Sequence, residues 1–408
     1  MPHFDLKRFD LLLGGAALFL VVLGLILLSS TSKETLNGGS NYFERQFSYA
    51  IVGLFLMIAM MALSPRVHFS FAYWIYGICC LILVSVLVWG KIVKGAESWM
   101  QLGSFTFQPS EPAKIGLVLA LARLFSHNRF DIRKFPSLLK AILLTAIPLA
   151  LVMAQPDFGT AIVFGLVFLF MIIAAGIPVL HFFFLISPLL AVLASFHALS
   201  FLVLAIILII LAWRARIRLF VTVLLILGVL GIGMSAPQMW NQLKPYQQKR
   251  LISFLHPEAD PKGSGYQVIQ SKVAIGSGGL WGKGLGKGSQ TQLKFLPEQH
   301  TDFIFSVVGE ELGLLGSSLV LVLFGIFIIR GYRNASRIRS QYSAFVSSGL
   351  CSMIAAHIFI NIGMATGIMP VTGLPLPFLS YGGSFLWTTM ISTGLILGIQ
   401  YRWKEYAP

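Results

Sequence analysis

The chain has 408 residues, of which 56% are hydrophobic and only 11% charged, and its mean hydropathy is +0.82. Soluble domains carry roughly 25% charged residues, so this composition excludes a soluble domain and points to membrane-spanning helices. A net charge of +15 suggests nucleic acid at first sight, but in a chain that crosses a membrane many times Lys and Arg collect in cytoplasmic loops and set orientation.

Apolar runs fall near 11–29, 46–63, 70–90, 111–126, 138–154, 158–176, 179–196, 198–213, 217–235, 303–330, 343–366 and 381–400. This pattern predicts an all-α, polytopic bundle of about twelve helices, because a spanning chain must satisfy its backbone polar groups internally. The short alternating segments of a membrane barrel are absent. If every run spans, the basic clusters at Lys7-Arg8, Arg66, Arg123 to Lys134, Arg214 to Arg218, Arg330 to Arg339 and Arg402/Lys404 share one side. The positive-inside rule makes that side, and both termini, cytoplasmic. Dropping the pair at 179–213 keeps the parity, so ten spans plus a hairpin fit equally well. The three cysteines, Cys79, Cys80 and Cys351, sit in apolar runs and read as small buried hydrophobes. The N-terminus lacks a cleavable signal pattern, so its first apolar run is expected to be a retained helix.

Along the chain, Gln108-Pro-Ser-Glu111-Pro-Ala-Lys114 opens the fourth run. Glu111 and Lys114 are three residues apart and share a helix face, either as an ordinary helix start or as a pair beside a cavity. Gln155-Pro-Asp157 joins the fifth and sixth runs, where Asp157 suits a helix cap. Residues 236–302 form the one long polar stretch, and this topology puts it outside. Its eight Lys and Arg against four acids run counter to the usual bias. Tolerance of long loops explains this as well as an anion site with glycines at 276–288 letting backbone N–H groups approach. Within it Asp260, before Pro261, reads from its chemistry as a solvated turn residue. Glu310 and Glu311 follow; adjacent acids do not share one helix face, so one is expected to meet protein or cavity. The Pro- and Gly-rich segment around Pro370 to Ser384 is tolerable at membrane depth only where it is buried or lines a cavity. His68, His181, His197 and His357 lack metal-ligand spacing.

Taken together, Gln108-Pro-Ser-Glu111, Gln155-Pro-Asp157-Phe-Gly-Thr160, Asp260-Pro-Lys-Gly-Ser-Gly-Tyr266-Gln and Ala274-Ile-Gly-Ser-Gly-Gly-Leu-Trp-Gly-Lys-Gly284 resemble the SEDS (shape, elongation, division and sporulation) family. So do Phe295-Leu-Pro-Glu-Gln-His-Thr-Asp302-Phe, Glu310-Glu-Leu-Gly313 and Pro370-Val-Thr-Gly-Leu-Pro-Leu-Pro-Phe-Leu-Ser380-Tyr-Gly-Gly-Ser384. The blocks run in the family's order from the first span to Tyr401. The short tails and the His300-Thr-Asp302-Phe block are more similar to its RodA branch, of cell elongation and rod shape, than to the division branch, FtsW. Two departures stand out: Ser98 precedes Trp99 where a basic residue is usual, and 179–213 looks like a helix pair inserted into a ten-span fold.

The resemblance implies a peptidoglycan glycosyltransferase polymerising lipid II into glycan strands at the outer face of the bacterial cytoplasmic membrane, with undecaprenyl pyrophosphate released. It puts the catalytic base at Asp260, in the loop 236–302. It suggests substrate contacts from Trp99, Glu111, Lys114, Asp157, Gln270, Lys283, Asp302, Ser380 and Tyr381, with no metal ligands assigned. Loop cations or a divalent cation (Mg2+ or Mn2+) would balance the leaving pyrophosphate. Implied partners are lipid II, the growing glycan strand, membrane lipids, the elongation machinery and a class B penicillin-binding transpeptidase; nucleic acid is not among them. A lipid II flippase and a scaffold for the transpeptidase are the competing readings.

Overall fold

The computed structural model describes residues 9–32, 42–89, 91–93, 96–102, 105–195, 197–214, 219–242, 248, 252–254, 256, 258, 263–293 and 295–402. It is a helical bundle, and each apolar run of the sequence meets a helix. These are α1 (Leu11–Ser32), α2 (Tyr42–Ala62), α3 (Pro65–Trp89), α4 (Ser110–Phe125), α5 (Phe135–Ala154) and α6 (Phe158–Ala174). They continue as α7 (Val179–Ala194), α8 (Ala198–Arg214) and α9 (Leu219–Gln242). Two short helices, α10 (Ser264–Ser277) and α11 (Ser289–Gln292), precede α12 (Ile304–Arg337), α13 (Gln341–Thr366) and α14 (Gly383–Tyr401). Among the described residues six helices are long and apolar enough to cross a membrane: α1, α2, α3, α5, α12 and α13. One feature was not legible in the sequence: β1 (Lys91–Val93), β2 (Ala96–Leu102) and β3 (Phe105–Phe107) form an antiparallel sheet in the order β1-β2-β3 between α3 and α4.

The axis of the bundle is α13, which packs against α4, α6, α10, α12 and α14. Its polar positions, Ser347, Ser352, His357 and Asn361, are therefore buried along with its apolar ones. A helix enclosed on nearly every side, with Phe359 its one strongly exposed large apolar side chain, needs no amphipathic stripe. Close approach is bought elsewhere by small residues. On α14, Gly394 and Gly398, four apart, lie against the α2 backbone; a methyl at Gly398 would come within 2.7 Å of the Met61 carbonyl, and one at Gly394 would collide with that of Met57. The pair α7 and α8 stands aside from the main core: with α9 it closes a small apolar cluster of Ala191, Leu204, Leu208 and Val229. Cys79 and Cys351 are buried free thiols and Cys80 is half-buried, in keeping with their apolar settings.

One end of the bundle gathers the basic residues. Arg402 donates to the carbonyls of Met61, Ala62 and Leu63 at the end of α2. Asp10, at the start of α1, receives Arg330 at 2.9 Å and Asn334 at 2.8 Å from the end of α12. Burial opposes the ionised form of Asp10, but the bonds from Arg330, Asn334 and the Leu13 N–H outweigh it and hold the carboxyl below its ordinary value.

Candidate functional site

At the other end, three clusters form where loops meet helix starts. The first belongs to α4. Glu111 and Lys114 pair at 2.9 Å with side chains 2% and 0% exposed, so Lys114 does not snorkel to the interface. Its ammonium also lies 2.8 Å from Nε2 of His357 on α13 and 5.7 Å over the Phe385 ring. A protonated Lys114 donates to both partners, which requires Nε2 to be the unprotonated nitrogen. The second oxygen of Glu111 and the Ser110 hydroxyl are buried with no hydrogen-bond partner. Such atoms are costly in a dry interior and are tolerated where a polar ligand belongs. Asp157 caps α6, accepting the Thr160 N–H at 3.0 Å and the Thr160 hydroxyl at 2.8 Å. It also accepts Gln108 Nε2 at 3.0 Å, which ties the start of α4 to the start of α6.

The second cluster is the non-helical segment 368–382. Its middle is buried, with Leu376, Leu379 and Ser380 all at or below 1% exposure, while Ile368 at its start is exposed. Side chains from other elements satisfy its backbone. Asn361 Nδ2 donates to the carbonyls of Leu374 and Asp302 at 2.7 and 2.8 Å. Gln46 on α2 donates to the Ser380 carbonyl at 3.1 Å and accepts the Gly382 N–H at 3.0 Å. Ser380 donates to the Thr301 carbonyl and accepts the Leu376 N–H; the Tyr381 N–H donates to the His300 carbonyl. At this junction the rings of Tyr42 and His300 stack, and Tyr381 meets both edge-on. Helix α1 reaches the segment only because residue 24 is glycine: a methyl there would lie 2.8 Å from the Leu379 Cα. Gly159, near the Asp157 cap, similarly touches the Thr372 carbonyl, so the first two clusters adjoin.

The third cluster is the glycine loop and the residues that follow it. Backbone N–H groups do converge there, but on the protein's own acids. Glu310, 0% exposed, accepts Lys283 Nζ at 2.8 Å, the Gln290 N–H at 2.9 Å, the Thr291 N–H at 3.0 Å and the Thr291 hydroxyl at 2.7 Å. Glu311 accepts the Ser30 hydroxyl of α1 and the Gly286 N–H. Both acids are buried, where one was expected to be, because α12 is flanked by the loop on one side and α1 on the other. Gly282, at φ +80°, packs on the Glu311 carbonyl where no side chain fits, and Gly313, at φ +66°, kinks α12 just beyond.

Of the residues singled out from sequence, Glu111, Lys114 and Asp157 come together in the first cluster, while Asp302, Ser380 and Tyr381 meet in the second. Lys283 lies in the third, tied to Glu310 and to Ser289 at 2.9 Å rather than left as an open cation. Gln270 is half-buried on α10, and Trp99 sits on β2 opposite Lys91. Asp260 lies outside the described residues. Sequence reasoning passed over His357, Asn361 and Gln46, whose partners are 243, 59 and 334 positions away. Among the described residues no group of three His, Cys, Asp or Glu side chains is placed to hold a metal ion.

An all-α polytopic membrane protein with a buried Glu111–Lys114 ion pair and a glycine-rich loop closed onto Glu310 and Glu311 is the class that fold and site define. The model of the FtsW/RodA/SpoVE cell cycle protein family matches residues 10–201 and 199–405, and the chain belongs to that family. It is 38% identical over 392 residues to the peptidoglycan glycosyltransferase MrdB of Escherichia coli K12, covering 95% of this chain and 93% of that one. Against the peptidoglycan glycosyltransferase RodA of Treponema pallidum the figures are 34% identity, 97% and 98%. Among solved structures, a chain from work on how a peptidoglycan synthase complex coordinates polymerization and crosslinking superposes with a TM-score of 0.73 at 32% identity, covering 97% of this chain and 99% of its own. The rod shape determining protein RodA of Thermus thermophilus gives 0.65 at 28%, with both chains fully covered.

Proposed function

We propose that this chain is a peptidoglycan glycosyltransferase that polymerises lipid II at the outer face of the cytoplasmic membrane, in the elongation branch of its family. The observation that carries this is 38% identity along nearly its whole length to a peptidoglycan glycosyltransferase. The buried ion pair of Glu111 and Lys114 supports it, since ionisable groups within spans mark substrate paths.

In this reading Asp260 takes the proton from the acceptor GlcNAc 4-hydroxyl as that oxygen attacks the anomeric carbon of the donor MurNAc. The C–O bond to the lipid breaks with inversion, and undecaprenyl pyrophosphate leaves with the bonding electrons. Lys114, held between Glu111 and His357, offers positive charge to the departing phosphates, and the second Glu111 oxygen accepts a substrate hydroxyl. No step here runs through a metal ion. The aromatic cluster of Tyr42, His300 and Tyr381 offers a ring face to a sugar beside the segment 368–382.

We further infer that both termini are cytoplasmic, because the basic clusters gather at one end of the bundle. Residues 179–213 are read as an inserted helix pair, supported by the family match dividing at residues 199–201 and by the separate apolar cluster there. A class B penicillin-binding transpeptidase is the proposed partner, in line with the synthase complex that yielded a structural neighbour. The test incubates purified chain and partner with lipid II and resolves the products on a gel. Wild type is expected to give a glycan ladder and Asp260→Asn none. A ladder from the variant removes Asp260 as the base, and no ladder from wild type with its partner removes the activity.

A further inference from the structure

The basic end of the bundle holds two adjoining cavities of about 600 Å³ each, which share Phe69, Ser126 and Asn128. They open where α3 begins, α4 ends and α13 begins, with Arg123 and Arg129 in one and Arg66 in the other. Among the described residues neither lining includes a carboxylate; the remaining polar groups are hydroxyls, amides and a histidine.

The positive-inside rule accounts for arginines on this face but not for their arrangement. An arginine present only to be hydrated extends into water. Arg123 instead donates Nη1 to the Ser70 carbonyl at 2.8 Å, and its guanidinium carbon lies 4.9 and 4.8 Å from the ring centroids of Phe69 and Tyr73. One edge of the guanidinium is thus anchored, two aromatic rings hold it by cation–π contact, and the group borders the cavity. From Tyr73 toward the middle of the bundle this face of α3 is apolar: Leu81 and Val84, about 12 and 17 Å further along the helix, are 70% and 44% exposed. A fixed cationic cup against a greasy helix face matches a molecule with a phosphate head and acyl tails.

We propose that these joined cavities bind the head group of an anionic phospholipid, one carrying two phosphodiesters, whose acyl chains lie along the exposed face of α3. Two cavities with separate arginines fit two phosphates, and basic pockets between helix ends are a known way to hold such lipids. The leaflet, though not the binding itself, rests on the orientation proposed above. Because lipid binding is read in detergent and without lipid II, its failure is distinguishable from failure of the polymerase reading.

The test uses the full chain, delipidated in detergent micelles and titrated with cardiolipin, phosphatidylethanolamine or inorganic phosphate, with bound lipid read by native mass spectrometry. Cardiolipin is expected to bind at least about tenfold more tightly than phosphatidylethanolamine. Arg66→Gln with Arg129→Gln should weaken it about 30-fold, at roughly one unit of juxtamembrane charge each. Both side chains are exposed, so folding should survive, which unchanged thermal unfolding without lipid would verify. Arg333→Gln with Arg337→Gln, exposed on α12 outside both cavities, should leave binding within about twofold. Equal weakening by the two pairs would reduce the effect to general surface charge and overturn the site. Displacement of cardiolipin by millimolar inorganic phosphate would overturn the lipid assignment.

Discussion

Replacing Glu310 by alanine should unfasten the glycine loop without unfolding the bundle. The substitution removes the acceptor of the Gln290 and Thr291 N–H groups and of the Thr291 hydroxyl, and it strips Lys283 of its counter-ion. Breaking a buried pair from one side costs about 3–5 kcal/mol, and each orphaned buried donor about 1–3 kcal/mol, though these overlap. Lys283 is 28% exposed and recovers hydration, so the lower end applies. A loss of about 3 kcal/mol raises local opening by roughly 100-fold. Hydrogen–deuterium exchange by mass spectrometry reads this directly: amides of residues 284–292 should exchange about 100-fold faster in Glu310→Ala, while those of α13 stay unchanged. Glu310→Gln keeps the shape and one acceptor, so its effect should be nearer tenfold. If Glu310→Ala leaves the loop within about threefold of wild-type exchange, the reasoning that this carboxylate organises the loop is wrong.

Other consequences follow from the same geometry. His357→Leu removes one of two acceptors of the Lys114 ammonium and should cut lipid II polymerisation about 10- to 100-fold with a normal melting profile; His357→Gln, which restores an acceptor, should recover most of it. Failure of glutamine to rescue would make the contact one of packing alone. Gly394→Ala should destabilise the α2–α14 contact by about 1–3 kcal/mol in thermal unfolding, whereas Gly165→Ala on α6, with open space around it, should be neutral or better. The folded Asp10 has a depressed pKa, so its contribution is present above the unfolded value of about 3.9 and is lost as pH falls through the folded one. Asp10→Asn should therefore lower stability at neutral pH and flatten its decline below about pH 4, as a pH series of melting curves would register.

The order of apolar runs determined most of the architecture, because in a bilayer length and hydropathy decide where a helix can lie. The Glu111–Lys114 pair and the Asp157 cap were legible for a related reason: partners three residues apart on a helix, or at its first turn, are set by local geometry. The sheet between α3 and α4 was not, since three short strands carry too little periodicity to stand out beside membrane helices.

What tertiary structure alone decided is where buried polarity finds its partners. Lys114 meets His357 across 243 positions, Gln46 meets Ser380 across 334, and Ser30 meets Glu311 across 281. The glycine loop illustrates the difference. Its composition announced a nest of backbone donors, but only the fold revealed that Glu310 and Glu311 already occupy it. A sequence lists its donors and acceptors; which of them must pair is settled by the cost of leaving any unpaired away from water, and that depends on which helices lie side by side.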